Sequence, residues 1–475
     1  MTNKNGSVVP VAQELETFLP IDSVNGVTKY KIQPAKKDAE NGVIEFDPFR
    51  ERKNDHPTSD NDTLAHLLKA SLGTGILSMP FAFKCSGLLF GIFATIVTAF
   101  ICTHCSYILV KCAHTLYKRT RRTTMNFAEV AEVAFANGPK WSRRYARFFK
   151  VLILQSLFWT YFGTCSAYTV IIAKNLQEVG VYLEYELNLR MYIALLLLPL
   201  ILLSWIPNLK HLAPVSMIAN FFMASGLAVI FYYLVKDLKP VNNVPAMGSL
   251  TTIPQFISIT IFAIEAIGVV MPLENHMKTP QNFVGFCGVL NKGMSGVTLV
   301  YILLGFLGFL SCGERTGDII TTNLPKDEIL AQTVKIFIAL AVFCTFGLQF
   351  FVCVEIAWNA IKDNFTQRPH LVNYVLRTVL VTSAVLLAVA IPSISPFIGL
   401  IGAFCFSILG LLIPVAIEFV TYYESGFGPY NYIILKNIII CIFSMFALIF
   451  GSKDAIYEIM KLYVTDSSPN NVTHA

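Results

Sequence analysis

After residue 63 the chain becomes a near-continuous series of apolar runs, each long enough to cross a bilayer and separated from the next by a short polar break. A helix needs about 20 mostly apolar residues to span the hydrocarbon, and eleven such runs can be read, at 64–84, 87–111, 148–173, 190–206, 213–236, 253–275, 284–311, 329–358, 371–391, 395–420 and 431–451. With 55% hydrophobic and only 14% charged residues in 475, and a mean hydropathy of +0.59, a soluble globular fold is excluded. The two-residue alternation of a membrane barrel is absent. The expectation is an all-α membrane protein with eleven transmembrane helices.

Residues 1–63 are different in kind. They are rich in Lys, Asp, Glu, Asn and Pro, hold no long apolar run, and read as a flexible tail. No basic-then-apolar start with a small-residue cleavage site is present, so no signal peptide is expected to be removed and the first span should direct insertion. The loop after the second span carries Lys111, Lys118, Arg119, Arg121, Arg122, Lys140, Arg143, Arg144, Arg147 and Lys150, whereas residues 311–328 balance Arg315 and Lys326 against Glu314, Asp318, Asp327 and Glu328. The positive-inside rule then puts the basic loop and the amino terminus in the cytoplasm, and the short tail 452–475 outside or in a lumen. The net charge of +6 is thereby a topology signal, not a nucleic-acid footprint. Of the sequons at Asn61, Asn364 and Asn471, Asn471 is expected on the glycosylated side, while Asn61 and Asn364 are expected in the cytoplasm. Within the basic loop, NFAEVAEVAFAN (126–137) reads either as a helix lying along the inner membrane surface or as a loop-packing helix.

Two spans are interrupted by residues that do not suit a buried helix. In TLAHLLKASLGTGILSMP (63–80) the break is Gly73-Thr74-Gly75, and in TIFAIEAIGVVMPLENHMKTP (260–280) Glu265, Gly268 and Pro272 fall inside an apolar run. A break at that depth frees N–H and C=O groups that must meet protein, water or a ligand. The two interrupted spans are the first and the sixth, an odd shift, so two related five-helix units would be inverted relative to each other. Discontinuous helices at matching positions of such units point to a transporter's midplane site. Helix-end amides suit a carboxylate and free carbonyls suit an ammonium, and an amino acid carries both.

The motifs TLAHLLKASLGTGILSMPFAFKCSG (63–87), FAEVAEVAF (127–135), FAIEAIGVVMPLENHM (262–277), ITTNLP (320–325) and PFIGLIGAFCFSILGLLIPVAIE (396–418) together resemble the proton-coupled amino acid transporters of the amino acid/auxin permease superfamily. The resemblance covers nearly everything after residue 62. It implies a LeuT-like 5+5 inverted repeat with helices 1 and 6 broken, an added eleventh helix, and symport of small neutral amino acids with protons. Two departures stand out. Ala70-Ser71-Leu72 replaces the Gly-Asn-Ile usual before GTG, and Lys326-Asp327 stands where family members commonly place a disulfide cysteine, with no cysteine in 174–189.

Carried over onto these positions, the resemblance makes His66 the coupling candidate, and an imidazole does change charge between an acidic compartment and a neutral cytoplasm. A solvated interfacial histidine is the alternative, with Lys69 one turn on either lowering its basicity or snorkelling outward. Gly73, Thr74 and Gly75 are the substrate contacts through backbone amides, or else small-residue packing points. Ser71 and Ser78 are weaker contact candidates, and Gly268 falls in the second break. Glu265, an ionisable group inside a span, either carries the proton or bonds freed backbone groups. Phe262, with Phe158, Trp159 and Tyr161 of the third span, is placed to limit side-chain size or to pack in the core. Glu274, Glu355, Glu418, Lys292 and Lys436 fall near cytoplasmic ends and suit solvation or ion pairing.

Cys102, His104, Cys105, Cys112 and His114 look superficially like metal ligands, but thiols in an apolar helix pack as small hydrophobes, so no metal is expected. The GxG at 73 lacks a preceding strand, and no hydrolase or nucleotide motif is present, so no enzyme and no cofactor beyond the coupling proton are expected. The expected partners are small neutral amino acids, protons and the bilayer. A low-flux sensor signalling through the tail to nutrient-signalling partners, and a sodium-coupled or other-solute carrier of the same fold, are the rival readings. The plasma membrane and the late endosome or lysosome fit the chemistry equally.

Overall fold

The computed structural model describes residues 46–466 apart from 53–56, 186, 207–208, 237, 242–243 and 366–367. Most of the tail 1–63, the sequon at Asn471 and the final nine residues lie outside the described residues. The helices are α1 (Asp60–Ser71), α2 (Met79–Ser86), α3 (Leu88–Thr120), α4 (Phe127–Ala136), α5 (Ala146–Tyr182), α6 (Leu189–Leu195), α7 (Leu197–Ser204), α8 (Leu209–Lys236), α9 (Ile253–Ile264), α10 (Ile267–His276), α11 (Val289–Cys312), α12 (Ile329–Ile361), α13 (Pro369–Ala390), α14 (Ile394–Leu400), α15 (Ile413–Tyr422), α16 (Tyr432–Phe446) and α17 (Ser452–Asp466). Wide π turns at Ile401–Leu412 and Ala447–Gly451 join α14 to α15 and α16 to α17 without a break in direction.

Among the described residues, nine helices or helix runs are long and apolar enough to cross a membrane. Two of the eleven expected spans fall short for physical reasons. The run 190–206 winds as Leu189–Ser204, only 16 residues, with Pro199 in its second half. The first span is divided into α1, a 3-10 turn at Thr74–Ser78 and α2. Elsewhere the helices outrun their apolar cores: α5 continues to Tyr182, and the last run to Asp466 rather than to the expected edge at 451. Large apolar side chains such as Phe93, Phe100, Leu198 and Phe221 are exposed on the outer surface, as a lipid-facing wall requires.

Local chemistry sets the helix starts. Ser59 and Asp62 form a reciprocal capping box at the start of α1 (3.2 Å each way), and the Ser59 hydroxyl holds the Asp62 carboxyl below the usual range. Asn126 and Glu129 do the same for α4 (2.8 and 2.9 Å). Val130, Ala131, Val133 and Ala134 of α4 are buried against α5 and α15. The loop-packing reading of 126–137 therefore holds, because both faces of this helix are covered by protein.

The described end of the expected tail is anchored to the body. Thr58 pairs backbone to backbone with α10's end, its N–H donating to His276 O (2.9 Å) and its carbonyl accepting from Lys278 (2.9 Å). Arg52 inserts its side chain, 3% exposed, beside the fully buried carboxylate of Glu274. Its guanidinium donates to Glu274 Oε1 (3.1 Å), to the Glu274 carbonyl (2.9 Å) and to the Thr123 carbonyl (2.9 Å). His114 Nε2 and the Tyr117 hydroxyl complete the carboxylate's partners at 3.0 and 3.1 Å. Glu418 is likewise paired, with both oxygens accepting from Lys436 Nζ at 2.8 Å.

Candidate functional site

The α-helical winding stops twice at the centre of the molecule. After Ser71, Leu72 (φ −78°, ψ 59°) and Gly73 (φ −84°, ψ −165°) leave the helix before the 3-10 turn begins. After Ile264, Glu265 is extended (φ −67°, ψ 124°) and Ala266 bridges to α10. Gly268 and Pro272 lie inside α10, past the interruption rather than at it; Pro272 lacks the N–H that would serve the Gly268 carbonyl.

The two interruptions touch. A Cβ placed on Gly75 would lie 2.7 Å from Ala263 Cα, so only glycine allows this approach. Tyr301 of α11 staples them, its buried hydroxyl donating to the Ser71 carbonyl (2.6 Å) and to the Ala263 carbonyl (2.9 Å). These are acceptors that the ends of α1 and α9 leave without helical donors. Glu265 serves the other orphan groups: its Oε1 accepts from Ala266 N (3.1 Å) and Ile267 N (2.9 Å), capping α10 with a negative charge at the positive end of the helix dipole. Its Oε2 is buried close against Gly410 of the π turn, and the Cys102 thiol of α3 reaches the same carboxyl.

Beside this junction is a cavity of about 100 Å³. Its lining contains Ser71, Gly73, Thr74, Gly75, Phe262, Glu265 and Gly268 together. A Cβ on Gly73 would meet nothing within 4 Å, so that backbone faces open space. His66 is not part of the lining; it sits half-buried on α1, five residues before Ser71, with Lys69 exposed one turn on. Ser78 is buried behind the turn and lines no part of the cavity. Phe158 and Trp159 are also absent from the lining, whereas Tyr161 belongs to it. Cys102, Cys105 and Cys112 are buried thiols, and none of the eleven cysteines, all of them among the described residues, forms a disulfide.

Several lining residues carry no motif. Thr160, Thr164 and Tyr168 follow one another at intervals of four along α5 and form one polar stripe, a helical signal visible in the sequence. Gln349 is an amide in the apolar stretch FGLQFFVC of α12, and the Tyr168 hydroxyl reaches both it and Thr74. Phe406 packs against Phe262 in the cavity wall, with ring centroids 6.2 Å apart. The arrangement is a cleft of backbone amides, hydroxyls and one carboxylate, closed on one side by two aromatic rings, with no basic side chain among the described residues of its lining.

Comparison with known proteins gives a consistent picture. The family model described as "Transmembrane amino acid transporter protein" matches residues 56–457. A Drosophila melanogaster protein described as "Proton-coupled amino acid transporter-like protein pathetic" is 63% identical over 454 residues, 95% of this chain and 96% of that one. Vacuolar amino acid transporter 4 of Saccharomyces cerevisiae is 29% identical over 324 residues, 65% of this chain and 42% of its own length. Among solved structures, the nucleobase-cation-symport-1 family transporter Mhp1 in a closed conformation with bromovinylhydantoin bound aligns at a TM-score of 0.49 and 15% identity, covering 89% of this chain and 95% of its own. A Na+-coupled sialic acid symporter in a substrate-bound outward-open state aligns at 0.44 and 13%, covering 83% and 89%.

Proposed function

Since the chain belongs to the transmembrane amino acid transporter family, a class of carriers rather than enzymes, we propose that it moves small neutral amino acids across a membrane together with protons. The observation that carries this reading is the convergence of both interrupted helices on one cavity lined by free backbone groups and by Glu265. A substrate carboxylate fits the amides that open the turn at Gly73-Thr74-Gly75, and an ammonium fits beside the Glu265 carboxyl in the same lining. The lining offers a carboxylate and no cation, which disfavours a solute with net negative charge. Phe262 and Phe406 limit the side chain that can enter.

In this reading the spans form two inverted five-helix units with broken first and sixth helices plus an eleventh helix, and one bundle tilts against the other around the cavity. The basic loop faces the cytoplasm. Glu265, with one oxygen committed to α10 and its carboxyl in the cavity lining, is the better placed proton carrier; His66 lies outside the cavity. The name of the Drosophila relative supports proton coupling, and that of the yeast relative a vacuolar site of action. The test is uptake of a panel of radiolabelled amino acids into proteoliposomes at about pH 5.5 and pH 7.5, with and without sodium. Accumulation of alanine- or glycine-sized substrates driven by an imposed proton gradient is expected; uptake that follows sodium and ignores pH would overturn the coupling.

A further inference from the structure

The end of α2, the start of α9, the start of α14 and the last helix, α17, meet in a single polar network. The Gln255 amide of α9 is its hub. It donates to Glu458 Oε1 of α17 (2.6 Å) and to Ser395 Oγ of α14 (3.0 Å), and its carbonyl oxygen accepts from the Cys85 thiol of α2 (3.4 Å). The Ser395 hydroxyl donates to the second Glu458 oxygen (3.0 Å). α2 and α9 are the outer halves of the two interrupted spans, and they are bound to each other as well. The Thr252 hydroxyl donates to the Cys85 carbonyl (2.6 Å), and the Gly248 amide to the Ser86 carbonyl (2.7 Å). These two halves therefore move as one body, which Gln255 fastens to α14 and α17.

We propose that α17 is a pH-sensitive strap: ionised Glu458 holds the outer halves of both interrupted helices against α14, and a proton from the solution on that face releases them. This rests on the transport reading above and on the threading that puts this face opposite the basic loop. Gln255 and Ser395 both donate to Glu458. A protonated carboxyl points a hydrogen of its own at one of these donors. To accept it, Gln255 must turn its amide away from Cys85 and Ser395, or Ser395 must give up its own donation. Either change breaks a link, and the bonds to Glu458 that remain lose the strength of a charged acceptor. Glu458 and Gln255 are half-buried, so solution reaches them. Two more carboxylates face Glu458: Asp454 one turn earlier on α17, beside Lys453, and Asp318, itself held by Ser393 (3.5 Å) and Lys174 (3.8 Å). α14 and α9 bring no titratable group to it; α2 brings Cys85, with Glu314 nearby and Lys84 donating to the Thr316 carbonyl (3.2 Å). One proton relieves the repulsion among the three carboxylates. A strap that loosens in acid opens the cavity toward the compartment that supplies the protons.

The test reads access to the substrate cavity from the α17 face in the full-length protein, reconstituted in liposomes without amino acid. Thr164→Cys reports the cavity, which Thr164 lines, in a chain with the exposed Cys287→Ser. A membrane-impermeant thiol reagent is supplied from the α17 side, and the rate of the same chain without the reporter is subtracted. Thiol chemistry itself varies with pH, so each rate is taken as a ratio to that of the chain with Glu458 intact at the same pH. Glu458→Gln, neutral at every pH, should react about tenfold faster at about pH 7.5 and equally at about pH 5.5, where the intact strap is released too. A ratio that does not change with pH would overturn the strap, as would equal rates at both. Should Glu458→Gln fail to fold, Gln255→Met, which keeps the length and loses the donors, should give the same pair of ratios, with the same two outcomes against the proposal. Amino-acid-dependent thermal stabilisation of the unmodified protein reads the substrate assignment separately, so failure of the strap and failure of the transport reading are distinguishable.

Discussion

Replacing Arg52 with alanine should release the described segment that precedes α1 while leaving the helix bundle folded. Both members of the Arg52 and Glu274 pair are buried, at 3% and 0% exposure. Removing one partner of a buried pair costs about 3–5 kcal/mol, because the remaining charge is left without compensation. Here His114 and Tyr117 still donate to the Glu274 carboxylate, at 3.0 and 3.1 Å, which places the loss at the lower end. Against this, the Thr123 and Glu274 carbonyls each lose a guanidinium donor, and Tyr117 and Phe49 lose a cation stacked 5.5 and 6.0 Å from their ring centres. The balance is about 3 kcal/mol, or roughly a hundredfold in a local opening equilibrium. Hydrogen exchange reads it directly at the Thr58 and Lys278 amides, which are protected by pairing with His276 and Thr58. A double-mutant cycle isolates the charge: Glu274→Gln should be less damaging in the Arg52→Ala background than alone, with a coupling of about 1–3 kcal/mol. Unchanged exchange at those amides together with zero coupling would refute the argument that this ion pair holds the segment down.

Three further outcomes are expected. Gly75→Ala forces its Cβ into Ala263 backbone at 2.7 Å and should lower the thermal midpoint and abolish uptake, an overpacking cost of about 1–3 kcal/mol, whereas Gly73→Ala, with nothing within 4 Å, should fold normally and raise KM. Equal stability of the two variants would contradict the close contact between the interruptions. Tyr301→Phe leaves the Ser71 and Ala263 carbonyls without their shared donor and should destabilise the protein by about 1–3 kcal/mol in detergent unfolding, with uptake falling as well. Glu265→Gln keeps an oxygen that can accept from Ala266 and Ile267 and should preserve folding, but it cannot cycle a proton; its uptake should lack the acceleration expected of the unmodified protein between about pH 7.5 and pH 5.5. An undiminished pH response in Glu265→Gln, lost instead in His66→Ala, would move the coupling to His66.

What could be read from the linear chain, and what could not, divides along a physical line. Membrane spans are local facts, since an apolar run of sufficient length declares itself, and so are the small residues at Gly73-Thr74-Gly75 where helix winding stops. The position of the second interruption was less legible. Gly268 and Pro272 look like the breakers, yet the backbone departs at Glu265–Ala266, because the carboxylate can cap the restarting helix and make the break tolerable. Helix lengths were underestimated where polar residues continue an apolar core, as in α17. The rest of the site depends on pairings between distant segments. Tyr301 is an ordinary aromatic in an apolar helix until the fold brings it, 230 residues on, to Ser71. Arg52 sits in a charged stretch that reads as solvated, and nothing local announces that Glu274, 222 residues away, will bury it. Free backbone groups explain why such partners are needed: each interruption exposes carbonyls and amides in a medium without water, and every one must find a donor or acceptor elsewhere in the fold. Those left over face the cavity, so the same deficit that requires Tyr301 and Glu265 as supports leaves Gly73 and Thr74 open toward a solute. Support and site are thus two parts of one hydrogen-bonding requirement, and a variant that satisfied the open amides internally, without clash, would be expected to gain stability and lose transport.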